Sequence, residues 1–231
     1  MTNEVFNRKE IKFVLTNDTY IKLLERLKDK IVKDTYYKST ICNIYFDTDN
    51  YDLILKSLDK PIYKEKLRLR SYNIPTNDTF VFLEIKKKYD GIVNKRRIKL
   101  KLSDYYNYLK TGEIKGVNKQ IKNEIDYVFK THNLKPKIFI AYDRLCFVDK
   151  NNPNFRITFD KNIRSRNDKL YLEYGDYGNK YFNNDEVVME TKTLGSFPLW
   201  FTSILSELGI KPTTFSKYGS IYIKRKENCY V

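Results

Sequence analysis

The chain has 231 residues, with 44 Lys and Arg against 29 Asp and Glu, a formal net charge of +15. Such a charge calls for an anionic partner: nucleic acid, a membrane surface or a small polyanion. His132 is the only histidine, which excludes His-based metal sites and Ser-His-Asp triads. Cys42, Cys146 and Cys229 are odd in number and lack CxxC spacing, so neither a disulfide framework nor a zinc site is expected. No signal peptide or long apolar run is visible, and a soluble, cytoplasmic protein is expected.

Residues Phe6 to Leu15 read as a strand with Arg8, Glu10 and Lys12 on one face. Thr16 or Asn17 then caps a helix carrying Tyr20, Leu23, Leu24, Leu27 and Ile31 at helical spacing. A second strand covers Thr40 to Asp47, and Asn50 to Leu58 form a short helix. Three strands follow within Lys64 to Leu102, the last two joined through Asp90-Gly91, a hairpin signal. Arg68 and Arg70 share a face of the first, and Phe82, Glu84 and Lys86 a face of the second. Lys95, Arg97 and Lys99 oppose Ile98, Leu100 and Leu102 in the third, with an expected parity shift at Arg97–Ile98.

Ser103 opens a helix that Gly112 ends, and a further helix covers Asn118 to Thr131, with His132 as a capping or surface residue. Strands resume at KIFIAYDRLCFVD, FRITFD, KLYLEYGDYG and VVMETK. Ser196 caps a helix from Phe197 to Leu208, while TTFSKYGSIYIKRK carries no decisive periodicity. The helices fall between strand groups without βαβ regularity, which favours a largely antiparallel sheet or barrel in one domain over residues 1–231.

Charge recurs on one face of strand after strand: Arg8/Glu10/Lys12, Arg68/Arg70, Glu84/Lys86, Lys95/Arg97, Arg144, Arg156/Asp160 and Glu190/Lys192. These faces are either solvated and cross-paired, or they line a wet interior that binds a phosphate chain. A dry interior is untenable, since each unpaired buried charge costs several kcal/mol. Arg forks and Lys ammonium groups match phosphate oxygens, and the few acids match a divalent metal bridging those oxygens.

The order RKEIKF, YFDT, KLRLRSY, LEIKKK…G…KRR, AYDR, FRITFD, METK and FSKY resembles the vacuolar transporter chaperone (VTC) domain of polyphosphate polymerases. That family belongs to the triphosphate tunnel metalloenzymes, with the CYTH phosphatases and cyclases. The resemblance, from Phe6 to about Lys226, implies an α+β fold: an antiparallel eight-stranded β-barrel flanked by helices. It further implies transfer of the γ-phosphoryl of ATP onto a growing polyphosphate chain, with Mn²⁺ or Mg²⁺ as cofactor. By motif position, Lys12, Arg68, Arg70, Lys86, Lys95, Arg97, Arg144, Arg156, Ser216 and Lys217 are expected at phosphates. Glu190 is expected at the metal with Lys192 beside it, and Glu10 and Glu84 are weaker candidates that either support the metal or hold neighbouring cations in place.

The first strand carries one glutamate where CYTH phosphatases usually show ExExK, which favours the polymerase branch. The chain lacks the SPX domain and membrane helices that accompany eukaryotic VTC proteins, leaving translocation to a membrane partner in trans. ATP and polyphosphate are thus the expected partners, and nucleic acid is not, because the cations alternate with core residues instead of clustering in one stretch. The rival readings are a tri- or polyphosphatase using the same site, and a non-catalytic polyanion-binding module.

Overall fold

A computed structural model describes residues 8–90, 92–183 and 185–228. Phe6, Gly91 and Cys229, invoked above, lie outside the described residues. The strands are β1 (Arg8–Leu15), β2 (Ile31–Asp47), β3 (Tyr63–Tyr72), β4 (Phe80–Tyr89), β5 (Ile92–Lys101), β6 (Lys135–Asp149), β7 (Arg156–Arg166), β8 (Asn179–Lys180) and β9 (Val187–Leu194). The helices are α1 (Asn17–Leu27), α2 (Asp52–Leu58), α3 (Leu102–Thr111), α4 (Lys119–His132), α5 (Leu199–Glu207) and α6 (Lys217–Asn228). Hydrogen bonding orders the strands β1-β9-β7-β6-β2-β3-β4-β5, with the two-residue β8 paired to β7. The fold is therefore α+β, built on an antiparallel sheet with helices alongside.

Contacts gather the chain into two compact units, Met1–Ser39 with Tyr142–Ile163 and Lys180–Ser216, and Thr40–Ala141 with Arg164–Asn179 and Lys217–Val231. In the first unit, β9 pairs antiparallel with both β1 and β7. Phe13, Leu15, Ile157, Phe159, Val187 and Met189 take one face of that ladder and form a core with Leu23 and Leu27 of α1 and Phe201 and Ile204 of α5. Thr16 caps α1, accepting from the Thr19 amide at 3.2 Å. Burying each such Phe or Leu contributes about 1.5–3 kcal/mol. The face opposite this core is where the charges lie.

The second unit repeats the division. Ile44, Leu67, Leu69, Leu83, Ile85, Ile98 and Leu100 pack with Tyr105 of α3 and with Ile125 and Val128 of α4. Gly112, in the left-handed region at φ 74, ends α3, and the Asn118 side chain caps α4 by accepting from Ile121 N at 3.1 Å. His132 ends α4 with Nε2 3.1 Å from Glu65 Oε1. Buried Asp47 accepts from Leu53 N and Ile54 N at the start of α2, and from the Tyr218 hydroxyl of α6 at 2.8 Å. Among the described residues no helix is long and apolar enough to cross a membrane.

Four local expectations are corrected and one open stretch is resolved. Strand β2 begins at Ile31, not Thr40. The β4–β5 register runs without interruption from Phe80↔Lys101 to Tyr89↔Ile92, so no parity shift occurs at Arg97–Ile98. KLYLEYGDYG forms a single 3-10 turn at Leu172–Tyr174 instead of a strand. The cause is Arg166, whose buried guanidinium donates to the Tyr171, Gly175 and Tyr177 carbonyls at 2.9 Å each and so gathers the segment into a loop. Gly178 lets that loop close, since a Cβ there would lie 2.7 Å from the Ser165 carbonyl. Pro198, not Ser196, precedes α5, and the undecided C-terminal stretch is helical as α6.

Candidate functional site

In the second unit the even-numbered residues of β3 and β4 and the odd-numbered residues of β5 share the face away from the apolar core. Cross-strand register sets Arg68 opposite Glu84 and Glu84 opposite Arg97. The next row is Lys66, Lys86 and Lys95, and the row on the other side is Arg70, Phe82 and Lys99. Glu84 is 1% exposed. Arg68 Nε donates to its Oε2 at 2.8 Å, Lys95 Nζ is 2.8 Å from its Oε1, and Arg70 Nε lies 4.0 Å from Oε2. Burial pushes the Glu84 carboxyl up, but Arg68, Arg70 and Lys95 together override it and hold the group at about 2. Its carboxylate is a hub for cations. This leaves it a poor donor for a metal, which would have to displace them.

Strand β2 supplies the other side of the two arginines. Asn43 Oδ1 accepts from Arg70 Nε at 2.8 Å, while Asn43 Nδ2 donates to the Ile140 carbonyl at 3.1 Å. The Tyr45 hydroxyl accepts from Arg68 Nη1 at 3.1 Å, and its ring stacks on Tyr218 at 5.0 Å. Burial raises the Tyr45 phenol, yet Arg68 and Arg70 outweigh it and lower the group to about 8. Arg97 lies over the Phe82 ring at 4.7 Å. Lys217 is the first residue of α6, directly before the buried Tyr218.

The first unit holds a second arrangement, a checkerboard of both signs. Glu10 stands opposite Lys192 and Lys12 opposite Glu190, while β7 sets Arg156 opposite Lys192 and Thr158 opposite Glu190. Lys192 Nζ pairs with Glu190 Oε1 and lies 3.9 Å from Glu10 Oε2. Lys12 Nζ donates to the Phe215 carbonyl at 3.0 Å and is 3.8 Å from Glu10 Oε1. Arg144 forks onto Asp160, with Nε to Oδ1 at 2.6 Å and Nη2 to Oδ2 at 2.8 Å, and Asp160 is fully buried. Despite burial, that carboxylate keeps the guanidinium charged. Arg156 pairs with Asp34. Ser216 precedes α6 at the end of this unit.

Glu10 and Glu190 thus converge on one ammonium, that of Lys192. Two carboxylates of neighbouring strands suit a hard divalent cation that takes its remaining ligands from water and substrate phosphates. Among the described residues no group of three or more Asp, Glu, His or Cys converges in that way.

Lys66, Asn43 and Tyr45 were not singled out by the sequence, whereas Glu84 takes the second of its two expected roles, holding neighbouring cations in place. Lys66 was within reach: it lies two residues before Arg68, so the same alternation places it on the charged face. Asn43 and Tyr45 carried no charge signal, and their role appears only through the β2–β3 register.

The sequence matches the VTC domain family over residues 7–223. A search of curated proteins finds none that matches. Among solved structures, a Bacillus halodurans protein provisionally described as an adenylate cyclase aligns with a TM-score of 0.56 at 14% identity, over 92% of this chain and 94% of its own. A Vibrio parahaemolyticus protein described in the same provisional way aligns with a TM-score of 0.51 at 11% identity, over 94% and 98% of the two chains. At such identities the likeness is one of fold.

Proposed function

The chain belongs to the VTC domain family, and on that premise we propose that it is a polyphosphate polymerase that transfers the γ-phosphoryl of ATP onto a growing inorganic polyphosphate chain. The observation that carries this reading is the β3–β5 face, where Lys66, Arg68, Arg70, Lys86, Lys95 and Arg97 surround a single buried carboxylate, Glu84. That excess of positive charge suits a ligand with many ionised oxygens and little else to recognise.

In the reaction, a terminal phosphate oxygen of the acceptor chain attacks the γ-phosphorus. The bond from that phosphorus to the β–γ bridging oxygen breaks, and its electron pair leaves with ADP. The acceptor oxygen is ionised at neutral pH, so no general base is needed, and catalysis rests on positioning and charge neutralisation. Arg68 and Arg70 are suited to hold equatorial oxygens because Glu84, Tyr45 and Asn43 fix their guanidinium planes in advance. Lys86, Lys95 and Arg97 neutralise the remaining charge from the neighbouring strands. Lys12, Arg144, Arg156, Lys192, Ser216 and Lys217 are proposed at phosphates from their motif positions.

Glu190, with Glu10, is the proposed holder of Mn²⁺ or Mg²⁺, and a bound divalent ion would supply charge neutralisation at the transferring phosphoryl group. Lys192 holds the two carboxylates in register until then. A cytoplasmic setting and a membrane partner in trans fit this reading, and nucleic acid is not a substrate in it.

The test is incubation with ATP and Mn²⁺, with the products resolved on a gel and ADP and orthophosphate measured together. Polymerisation releases ADP matched by acid-labile chain phosphate. Orthophosphate appearing in step with ADP from the outset makes the protein a phosphatase and overturns the proposal.

A further inference from the structure

Two further lysine positions continue the β3–β5 face beyond the residues assigned so far. On β3 the residues sharing this face are Lys64, Lys66, Arg68 and Arg70, and on β4 Lys86 and Lys88 follow Glu84. The register sets Lys64 opposite Lys88, one step beyond the Lys66–Lys86–Lys95 row. Like charges directly opposite one another oppose sheet formation, so the Lys64–Lys88 row is a costly way to build a merely solvated face. Lys64 and Lys88 are both half-buried. Burial lowers the Lys64 ammonium, and Lys88 and Lys60 lower it further. The Lys64 Nζ contact, to the Ser57 carbonyl of α2 at 3.4 Å, is long and neutral.

Residues two apart on a strand are about 6.7 Å apart, so the cations from Arg70 to Lys64 cover roughly 20 Å. A triphosphate covers only part of that length. Arg68, Arg70, Lys86, Lys95 and Arg97 already lie around Glu84. Lys66 shares a row with Lys86 and Lys95, while Lys64 and Lys88 lie one row beyond that group, toward the β4–β5 turn.

We infer that Lys64 and Lys88 form a track for the phosphates of a long chain beyond the first three, so that this face binds long-chain polyphosphate in preference to tripolyphosphate. The inference rests on the proposed function and specifies its acceptor or product. The track discriminates by length, since a short ligand held at Glu84's arginines does not reach it.

The experiment compares affinity for tripolyphosphate and for long-chain polyphosphate by calorimetry at fixed salt. It uses the wild type, the double variant Lys64→Gln/Lys88→Gln, and the charge-matched Lys87→Gln/Lys119→Gln. Lys87 is on the other face of β4, paired with Glu124 of α4, and Lys119 opens α4, so this pair removes equal charge away from the track. Folding of each variant is checked by its melting curve. The expected result is an affinity for long chains about tenfold weaker in Lys64→Gln/Lys88→Gln, with tripolyphosphate binding unchanged and the control pair near wild type. An equal loss for both ligands, no loss, or a matching loss in the control pair overturns the track. A wild type that binds tripolyphosphate without preferring longer chains also overturns the track and leaves the proposed function standing. A wild type that binds neither ligand overturns both.

Discussion

Arg68 and Glu84 stand directly opposite each other on β3 and β4, with Arg68 Nε 2.8 Å from Glu84 Oε2. Because Glu84 also meets Lys95 and lies within reach of Arg70, one buried carboxylate offsets cations from two flanking strands. Glu84→Gln keeps the shape and removes that offset. The expected loss of stability is about 3 kcal/mol, the range seen when one partner of a buried ion pair is removed. Urea denaturation checks this, and a loss within error of zero would show that solvent, not Glu84, balances the arginines.

The same residue sets an acid limit. The Glu84 carboxyl is held at about 2, below its ordinary 4.5. A depressed carboxyl stabilises the fold above its unfolded value, and that stability is lost as pH falls through the folded one. The stability difference between wild type and Glu84→Gln should therefore be full above pH 4.5 and shrink toward pH 2. A difference that stays constant across this window would remove the linkage.

Tyr45 offers a spectroscopic probe of the cations. Its phenol is lowered to about 8 by Arg68 and Arg70 against the opposing effect of burial. Phenolate absorbance should show a step near pH 8 that Tyr45→Phe lacks. The ionised form is favoured in the fold, so the linked stability is present above the ordinary value of 10 and lost as pH falls through about 8. A phosphate ligand competes for the same guanidinium charge, so tripolyphosphate should move the step upward. No movement would place the ligand away from Arg68.

Strand faces were legible in the sequence because side-chain parity alone divides core from charge. Leu67, Leu69, Leu83 and Ile85 entered the core, and Arg68, Arg70 and Lys86 took the other face, as alternation requires. Partnership between strands was not legible, since it depends on register. Glu84 in sequence is one acid among lysines, and only its placement opposite Arg68 and Arg97 makes it a hub. Alternation misled where a tertiary partner overrode it. LYLEY has the pattern of a strand, but Arg166 gathers the surrounding carbonyls and bends it into a loop. In α6, Tyr222 and the β-branched Ile221 and Ile223 obscured a helix anchored through the Tyr218–Asp47 hydrogen bond.

Glu190→Gln tests the metal assignment. Glu190 shares Lys192 with Glu10, and its replacement by Gln removes none of the lysines and arginines of β3–β5. Metal-dependent turnover should fall by at least about a hundredfold, while affinity for tripolyphosphate without metal stays near wild type. Turnover at the wild-type rate would reduce Glu190 to an ion-pair partner of Lys192.

Lys86 provides a prediction with opposite signs in the free and bound protein. It stands between Lys66 and Lys95 in the cross-strand row, where like charges oppose folding. Lys86→Gln should therefore raise the melting temperature of the free protein, a direction that few polar substitutions within a strand produce. A ligand that binds only the folded state stabilises it by about 2.7 kcal/mol at 100 times its dissociation constant. Tripolyphosphate should stabilise the wild type in this way, and the increment should be smaller in Lys86→Gln, because one ammonium contact to the ligand is gone. The two melting curves should converge or cross as tripolyphosphate rises. Lower stability in both conditions would mean that Lys86 supports the fold, and a difference that tripolyphosphate leaves unchanged would mean that the ligand does not touch this row.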